Sequence, residues 1–181
     1  MPDPRKVVGG YFLSLDGVAE APDQFLTGWD DETDASGKRL IETQDVVILG
    51  RRTYDEWAGF WPNSDDDFAT FFNNHPKYVV SNSLEQADWN NTTIVSGDVR
   101  RRLRELKDAT DGDLVISGSA TLVRSLLRDG LLDELRVLVH PIVVGRGGRL
   151  FEDDTPRALE LAGHEIFSTG VLNLTYTPAV R

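Results

Sequence analysis

The chain has 181 residues, 40% of them hydrophobic, which is enough for a single domain with a substantial buried core. It contains no cysteine, so disulfides, thiolate nucleophiles and cysteine-ligated zinc are excluded, and its net charge of −11 argues against general nucleic-acid binding. No apolar run approaches the roughly 18 residues of a membrane span, and the first strand starts too early for a signal peptide. We therefore expect one cytoplasmic domain over residues 1–181.

The make-up of the charge is unusual. Of the 30 acidic residues 20 are Asp, and of the 19 basic residues 15 are Arg. An Asp-rich, Lys-poor surface is typical of proteins that work in concentrated salt, which screens the repulsion that a high net charge creates. A GC-rich genome also favours Arg over Lys, so both explanations stay open.

The histidines do not predict a metal site. His75, His140 and His164 are far apart in the sequence, and none stands at a metal-ligand spacing. We expect each of them to be structural and expect no bound metal.

The first part of the chain predicts strands alternating with helices. A strand over Lys6–Leu15 runs into the turn Ser14-Leu15-Asp16-Gly17. A helix with acidic residues in its first turn is predicted from about Asp31 to Thr43, then a buried strand over Val46–Leu49 and a helix from Arg51 to about Ala58.

The turn Gly50-Arg51-Arg52-Thr53 suits a bound anion. Glycine lets a phosphate approach the backbone, and the first turn of the helix offers unpaired amides at its positive dipole end. An arginine adds a bidentate, permanently charged contact. Each such turn is also a common structural connection, but a second strand-to-helix turn at Ser117-Gly118-Ser119 favours a dinucleotide or another multiply phosphorylated ligand.

The remaining elements continue the alternation. They are a helix from about Asp66 to Asn73, strands Tyr78–Ser81 and Thr92–Val95, a helix Asp98–Lys107, strand Leu114–Ser117, a helix Ser119–Arg128, one long strand from Leu135 through Val144 bent at Pro141, and final strands at about Ala158–Ile166 and Val171–Thr177. This order predicts an α/β fold with a mixed, mostly parallel central sheet, flanking helices and a C-terminal antiparallel hairpin.

Four stretches together carry a family resemblance. They are Ser14-Leu15-Asp16-Gly17, Leu49-Gly50-Arg51-Arg52-Thr53, Ile116-Ser117-Gly118-Ser119, and the block from Gly130-Leu131-Leu132-Asp133-Glu134-Leu135 through Pro141-Ile142-Val143-Val144-Gly145-Arg146-Gly147. In this order the chain resembles the dihydrofolate reductase-like superfamily. It is most similar to the C-terminal reductase domain of the bifunctional riboflavin-biosynthesis deaminase/reductase and its stand-alone relatives. The resemblance implies the three-layer dihydrofolate reductase-like fold.

The resemblance also implies NADPH as the cofactor. Gly50, Arg51, Arg52 and Thr53 are expected to hold the adenosine-side phosphates, and the adjacent arginines suit the 2′-phosphate. The other expected cofactor contacts are Ser81 and Asn82 at the adenosine end, Ser117, Gly118, Ser119, Ala120 and Thr121 at the pyrophosphate, and Val144 and Gly145 by the nicotinamide ribose or the substrate. Where the family often has a glycine pair, this chain has Ser117-Gly118 followed by Ser119.

The substrate side is less well defined. Asp16 is the first candidate for the catalytic proton donor because it follows the first strand, although a turn role at Asp16-Gly17 is equally consistent. Trp29, Phe60 and Trp61 are candidates for stacking a flat substrate, and the same aromatics suit a core. The Pro-Trp pair that usually precedes the acid of the folate enzymes is missing here.

The leading hypothesis is a stand-alone NADPH-dependent reductase that transfers a hydride to a small pterin, pyrimidine or related heterocycle. One alternative is 5-amino-6-(5-phosphoribosylamino)uracil reduction in riboflavin biosynthesis, and another is a non-catalytic nucleotide-binding module. Relatives commonly pair, and the apolar final strands suit an interface, so we also expect a homodimer.

Overall fold

A computed structural model describes residues 5–26, 29–152 and 156–179. Their contacts divide the chain into two compact units, one formed by residues 1–7 and 41–119 and the other by residues 8–40 and 120–181. The strands are ordered β4-β3-β2-β5 in the first unit and β1-β6-β8-β7 in the second. These eight strands, with their flanking helices, give the mixed and mostly parallel sheet that the sequence predicts.

The first unit contains four parallel strands. They are β2 (Gln44–Gly50), β3 (Lys77–Val80), β4 (Thr92–Val95) and β5 (Asp113–Ser117), with helices α2 (Arg51–Phe60), α3 (Ala69–Asn74) and α4 (Val99–Ala109) between them. The apolar residues of β2 and β5 are all buried, with at most 1% of their surface exposed. Such continuous apolar runs are typical of parallel strands that are covered on both faces.

The second unit ends in antiparallel strands. Strand β1 (Val7–Ser14) pairs in parallel with β6 (Glu134–His140), and β6 pairs with β8 (Leu172–Pro178), which pairs with the edge strand β7 (Leu159–Ile166). The α-helices of this part of the chain are α1 (Asp31–Glu42) and α5 (Ala120–Arg128). The predicted C-terminal hairpin is confirmed, with a tight turn in which the Phe167 and Gly170 amides donate backbone hydrogen bonds.

One predicted element is wrong. Strand β6 stops at His140, and residues 142–144 are not a strand. Pro141 has no amide hydrogen for the ladder, and the Ile142 amide instead donates to the His140 carbonyl at 2.8 Å, which turns the chain. The Ile142 carbonyl then accepts the Leu15 amide at 2.8 Å.

The helices of the described residues give no candidate membrane span, because none of them combines the length and apolarity that crossing a bilayer requires.

Candidate functional site

The carboxyl ends of the four strands of the first unit lie at one edge of their sheet. After β2 the chain forms β3 and β4 on one side of β2, and then crosses to form β5 on the other side. The boundary between β2 and β5 is therefore a topological switch point, where open α/β sheets bind their ligands. Gly50 ends β2, and Gly118 follows β5.

The two glycine turns pack directly against each other at this point. A Cβ atom on Gly50 would lie 2.5 Å from the Ser119 Cβ, and one on Gly118 would collide with the Thr53 hydroxyl. Neither position has room for a side chain. The structure thus brings together Gly50, Thr53, Gly118 and Ser119, which were predicted as parts of two separate phosphate-binding turns.

The backbone of the second turn differs from the sequence interpretation. Gly118 and Ser119 have φ angles of 93° and 79°, so both lie in the left-handed region that favours glycine. The residue pair with glycine-like geometry is therefore Gly118-Ser119, whereas the sequence suggested Ser117-Gly118. Ser119 adopts this conformation at an energetic cost, because a side chain disfavours the left-handed region. The Ser119 side chain nevertheless packs closely against Gly50.

The start of α2 carries exposed positive charge that is paired along the helix. Gly50 is the N-cap and supplies no side-chain acceptor for the first-turn amides. The Arg51 Nε donates to both carboxylate oxygens of Asp55 at 2.7 and 2.9 Å, and the Arg52 Nε lies 3.4 Å from Glu56 Oε1. An anion at this helix end therefore competes with two carboxylates for the arginines.

Ser81 and Asn82 have local partners at the ends of β3 and β4. The Ser81 hydroxyl accepts hydrogen bonds from the Ser83 amide at 3.2 Å and the Leu84 amide at 3.0 Å. The Asn82 Oδ1 accepts the Gly97 amide at 3.2 Å. These bonds shape the strand ends, and a cofactor contact by either residue stays a prediction.

In the second unit, Asp16 fixes the loop that follows β6. Its carboxylate accepts hydrogen bonds from the Ser14 hydroxyl at 2.7 Å, the Val144 amide at 3.0 Å and the Gly145 amide at 2.9 Å. These bonds lower the pKa of Asp16 to about 2, the Ser14 bond contributing most. Because the carboxyl group is ionised at neutral pH, this geometry favours a loop-fixing role over the expected proton donation. It also occupies the amides of Val144 and Gly145.

The start of α5 also lies in the second unit. Ala120 is the first helical residue, and the Thr121 hydroxyl accepts a hydrogen bond from the Arg124 guanidinium at 3.2 Å. Arg124 donates as well to the carbonyls of Arg149 and Leu150, so it holds the far end of the glycine-containing loop. Pyrophosphate contacts by Ala120 and Thr121 remain predictions.

The predicted stacking residues have different surroundings. Trp61 packs in the first unit with ring centroids 4.6 Å from Phe72 and 5.7 Å from Trp57, which favours a core role, and Phe60 lies 4.9 Å from Trp61. In the second unit Trp29 is 50% exposed, and its ring centroid lies 5.8 Å from that of Phe12. Phe60 is 56% exposed, so the exposure of both Trp29 and Phe60 fits ligand stacking, and a substrate contact by either residue stays a prediction.

Phe12 lies beside Trp29, and His140 lies beside Phe12. Neither was among the predicted site residues, and the expectation that His140 is structural stays a prediction. His140 is fully buried at the end of β6, and its ring centroid lies 6.1 Å from that of Phe12. The one sequence feature that could have drawn attention to it is a histidine placed directly before a proline at the end of an apolar strand.

Comparison with known protein families identifies the family of the chain. The model of the RibD C-terminal domain matches residues 5–173. The chain belongs to the RibD C-terminal domain family. This confirms the resemblance seen in the sequence, and the RibD C-terminal family supports a reductase of the riboflavin-biosynthesis type.

Individual relatives cover nearly the whole chain. The uncharacterised protein YyaP of Bacillus subtilis is 25% identical over 178 residues, covering 95% of this chain and 94% of YyaP. A Shewanella sp. PV-4 protein assigned to riboflavin biosynthesis has a TM-score of 0.79 at 20% identity, covering 97% of this chain and 99% of that one. Dihydrofolate reductase from Enterococcus faecalis, solved with NADP(H), has a TM-score of 0.66 at 15% identity, with 97% of each chain covered. These structures confirm the dihydrofolate reductase-like fold.

Proposed function

We propose that this protein is an NADPH-dependent reductase that transfers a hydride to a small heterocycle of pterin, pyrimidine or related type. The observation that carries the proposal is the packing of Gly50 against Ser119 and of Gly118 against Thr53 at the switch point between β2 and β5. This packing holds the start of α2 at the switch point, and because the first-turn amides of α2 have no side-chain cap, that helix start suits a phosphate.

The residues present fit the cofactor. Gly50 leaves the first-turn amides of α2 without a side-chain cap, and Arg51 and Arg52 supply the positive charge that a 2′-phosphate requires. The dihydronicotinamide supplies the hydride when it is bound. The role of the protein is to hold the phosphates through Gly50, Thr53, Gly118 and Ser119, and to orient the reacting rings.

A charge-matched binding experiment tests the cofactor assignment. Replacing both Arg51 and Arg52 with Ala is expected to weaken NADPH binding more than NADH binding, by on the order of 1.5–3 kcal/mol for a charged hydrogen-bond contact. Calorimetry at low and high KCl measures both affinities. The matched control is the double variant Arg101→Ala/Arg104→Ala, which removes two exposed arginines from α4. Equal losses for NADPH and NADH would remove the 2′-phosphate role.

The second candidate function is 5-amino-6-(5-phosphoribosylamino)uracil reduction, which the RibD C-terminal family match favours. NADPH oxidation assays with that compound, with pterins and with simple pyrimidines separate the two candidates. Turnover of the phosphoribosyl compound alone supports the riboflavin reaction. Cofactor binding without oxidation of any substrate would point to a non-catalytic nucleotide-binding protein.

We further propose that the protein forms a homodimer through its last strands. Strand β7 lies at the edge of the sheet, and it exposes Leu161 by 54% and Ile166 by 72%. Apolar side chains on an open strand edge are suited to pairing with a second copy. Light scattering at micromolar concentration tests this, and a monomer would contradict it.

A further inference from the structure

His140 is an unusual buried polar residue. It closes β6, its side chain has no exposed surface, and its backbone is in register with Ser14 of β1. Neither ring nitrogen has a hydrogen-bond partner within the part of the chain that the structure describes. An imidazole needs at least one acceptor for its N–H and one donor for its bare nitrogen, so both needs are unmet.

Such an arrangement is costly for a residue with only a structural role. A buried polar atom without a partner loses its hydration and gains nothing in return, whereas an apolar residue of similar size would avoid the loss. Buried unsatisfied groups in native proteins therefore call for an explanation, and one explanation is a ligand that supplies the missing bond.

The surroundings of His140 are aromatic and lead toward the surface. The Phe25 ring lies edge-on at 6.3 Å, and the Phe12 ring is tilted at 6.1 Å. Phe12 in turn lies 5.8 Å from Trp29, which is half exposed. We call Trp29, Phe12 and His140 the aromatic strip. It runs from solvent to a buried polar end, which is the composition of a site for a flat ring with a polar edge.

The charged group acting on His140 is Asp30, at the start of α1. The Asp30 Oδ1 accepts the Thr33 amide at 2.7 Å as a helix cap, and hydrogen bonds hold the pKa of Asp30 below its usual value. Burial lowers the pKa of His140, and the Asp30 carboxylate only partly offsets this effect. His140 is therefore neutral at neutral pH, with one donor and one acceptor to offer.

We propose that His140 is a positioning residue that forms a hydrogen bond with the polar edge of an uncharged, flat oxo-heterocycle stacked along Phe12 and Trp29. This inference rests on the proposed reductase function and deepens it by assigning a recognition residue for the substrate. Because the imidazole has no exposed surface, a ligand reaches it only when a neighbouring side chain moves. Trp29 is the outermost member of the strip, and its indole N–H donates a long hydrogen bond to Asp34 at 3.3 Å.

The test compares an apolar and a polar replacement. His140→Leu removes the unsatisfied nitrogens and should raise the melting temperature by about 2–6 °C, while it weakens binding of pterin and 5,6-diaminouracil about tenfold. His140→Gln keeps a neutral donor and acceptor and should bind both probes within about threefold of the wild type. If His140 had only a structural role, His140→Leu would change the melting temperature and leave the binding of both probes unchanged.

A spectroscopic measurement on the wild-type protein makes the test independent of the variants. Histidine ring-nitrogen resonances should shift at His140 when pterin is added, with His75 and His164 as internal references. Unchanged His140 resonances, equal pterin affinity in His140→Leu, or no binding of either probe by the wild type would overturn the inference. NADPH binding and NADPH oxidation measured on the same wild-type samples separate the two failures. The proposed function fails when NADPH does not bind or no heterocycle is reduced, whereas this inference alone fails when NADPH is oxidised and His140→Leu binds pterin as the wild type does.

Discussion

Replacement of Asp55 by Asn is expected to tighten NADPH binding more than NADH binding. The Asp55 carboxylate holds Arg51 through contacts at 2.7 and 2.9 Å, one helical turn after the start of α2. In the proposed complex, the 2′-phosphate of NADPH takes Arg51 from Asp55 and is repelled by the Asp55 carboxylate. NADH has no 2′-phosphate, so it serves as the internal reference.

The magnitude follows from Coulomb's law. A phosphate of about −2 charge at about 6 Å from a carboxylate is repelled by about 1.4 kcal/mol in water, and salt near 0.1 M roughly halves this. The expected gain in NADPH affinity is therefore about tenfold at low salt and about threefold near physiological salt. The cost to stability is small, because exposed helix pairs at this spacing contribute about 0.3–0.5 kcal/mol.

The assay is calorimetric titration with NADPH and NADH across a KCl series. Glu105→Gln on α4 is the matched control, because Glu105 also pairs with an arginine of its own helix, Arg102, at 3.2 Å. Glu56→Gln should give a smaller gain than Asp55→Asn, since the Arg52–Glu56 contact is longer, at 3.4 Å, and more exposed. An equal change in the affinities for NADPH and NADH would refute the reasoning.

Three further predictions concern stability. Ser119→Gly should raise the free energy of unfolding by about 0.5–1 kcal/mol, because glycine relieves the φ of 79° at a modest entropic cost; an unchanged or lower urea midpoint would contradict this. Burial lowers the pKa of Lys77 to about 8 from 10.5, so between these pH values the unfolded chain binds more protons than the folded protein. The free energy of unfolding of the wild type, relative to that of Lys77→Met, should therefore rise from pH 8 to 10.5. A difference between the two proteins that does not change with pH would argue against this. The pKa of Asp16 is lowered to about 2, so its contribution to stability is present above about pH 4 and is lost as the pH falls toward 2. In Asp16→Asn, the free energy of unfolding should therefore fall less steeply between pH 4 and 2 than in the wild type. An acid transition identical to that of the wild type would count against the loop-fixing role.

The sequence predicts the central strands well because their pattern depends on burial alone. Val46–Leu49 and Leu114–Ile116 are continuous apolar runs, and such runs are buried wherever a parallel sheet forms. The order of strands and helices then limits the fold to few topologies. The error at residues 142–144 arises because an apolar pattern continues past Pro141, while the missing amide ends the ladder.

The site is harder to predict because its decisive features are tertiary. Gly50 and Gly118 are recognisable as turn residues, but their packing against Ser119 and Thr53 depends on the alignment of β2 with β5. The glycine-like φ of Ser119 cannot be read from a serine. Likewise, the roles of Asp16 as an acceptor of three hydrogen bonds and of Asp55 as a partner of Arg51 depend on which atoms the fold brings within bonding distance.

The state of the acidic groups in the second unit bears on how a substrate there could gain its proton. Asp16 and Asp30 both accept hydrogen bonds that favour the ionised carboxylate, so neither carries a proton at neutral pH. A neutral His140 holds one proton on a ring nitrogen, which suits it to orient a heterocycle by a hydrogen bond but makes it a poor acid. Because Asp16, Asp30 and His140 are all unsuited to donate a proton at neutral pH, we expect water at the open end of the aromatic strip to supply the proton of the proposed reduction, and we expect the rate of the chemical step to show no titration that His140→Gln removes.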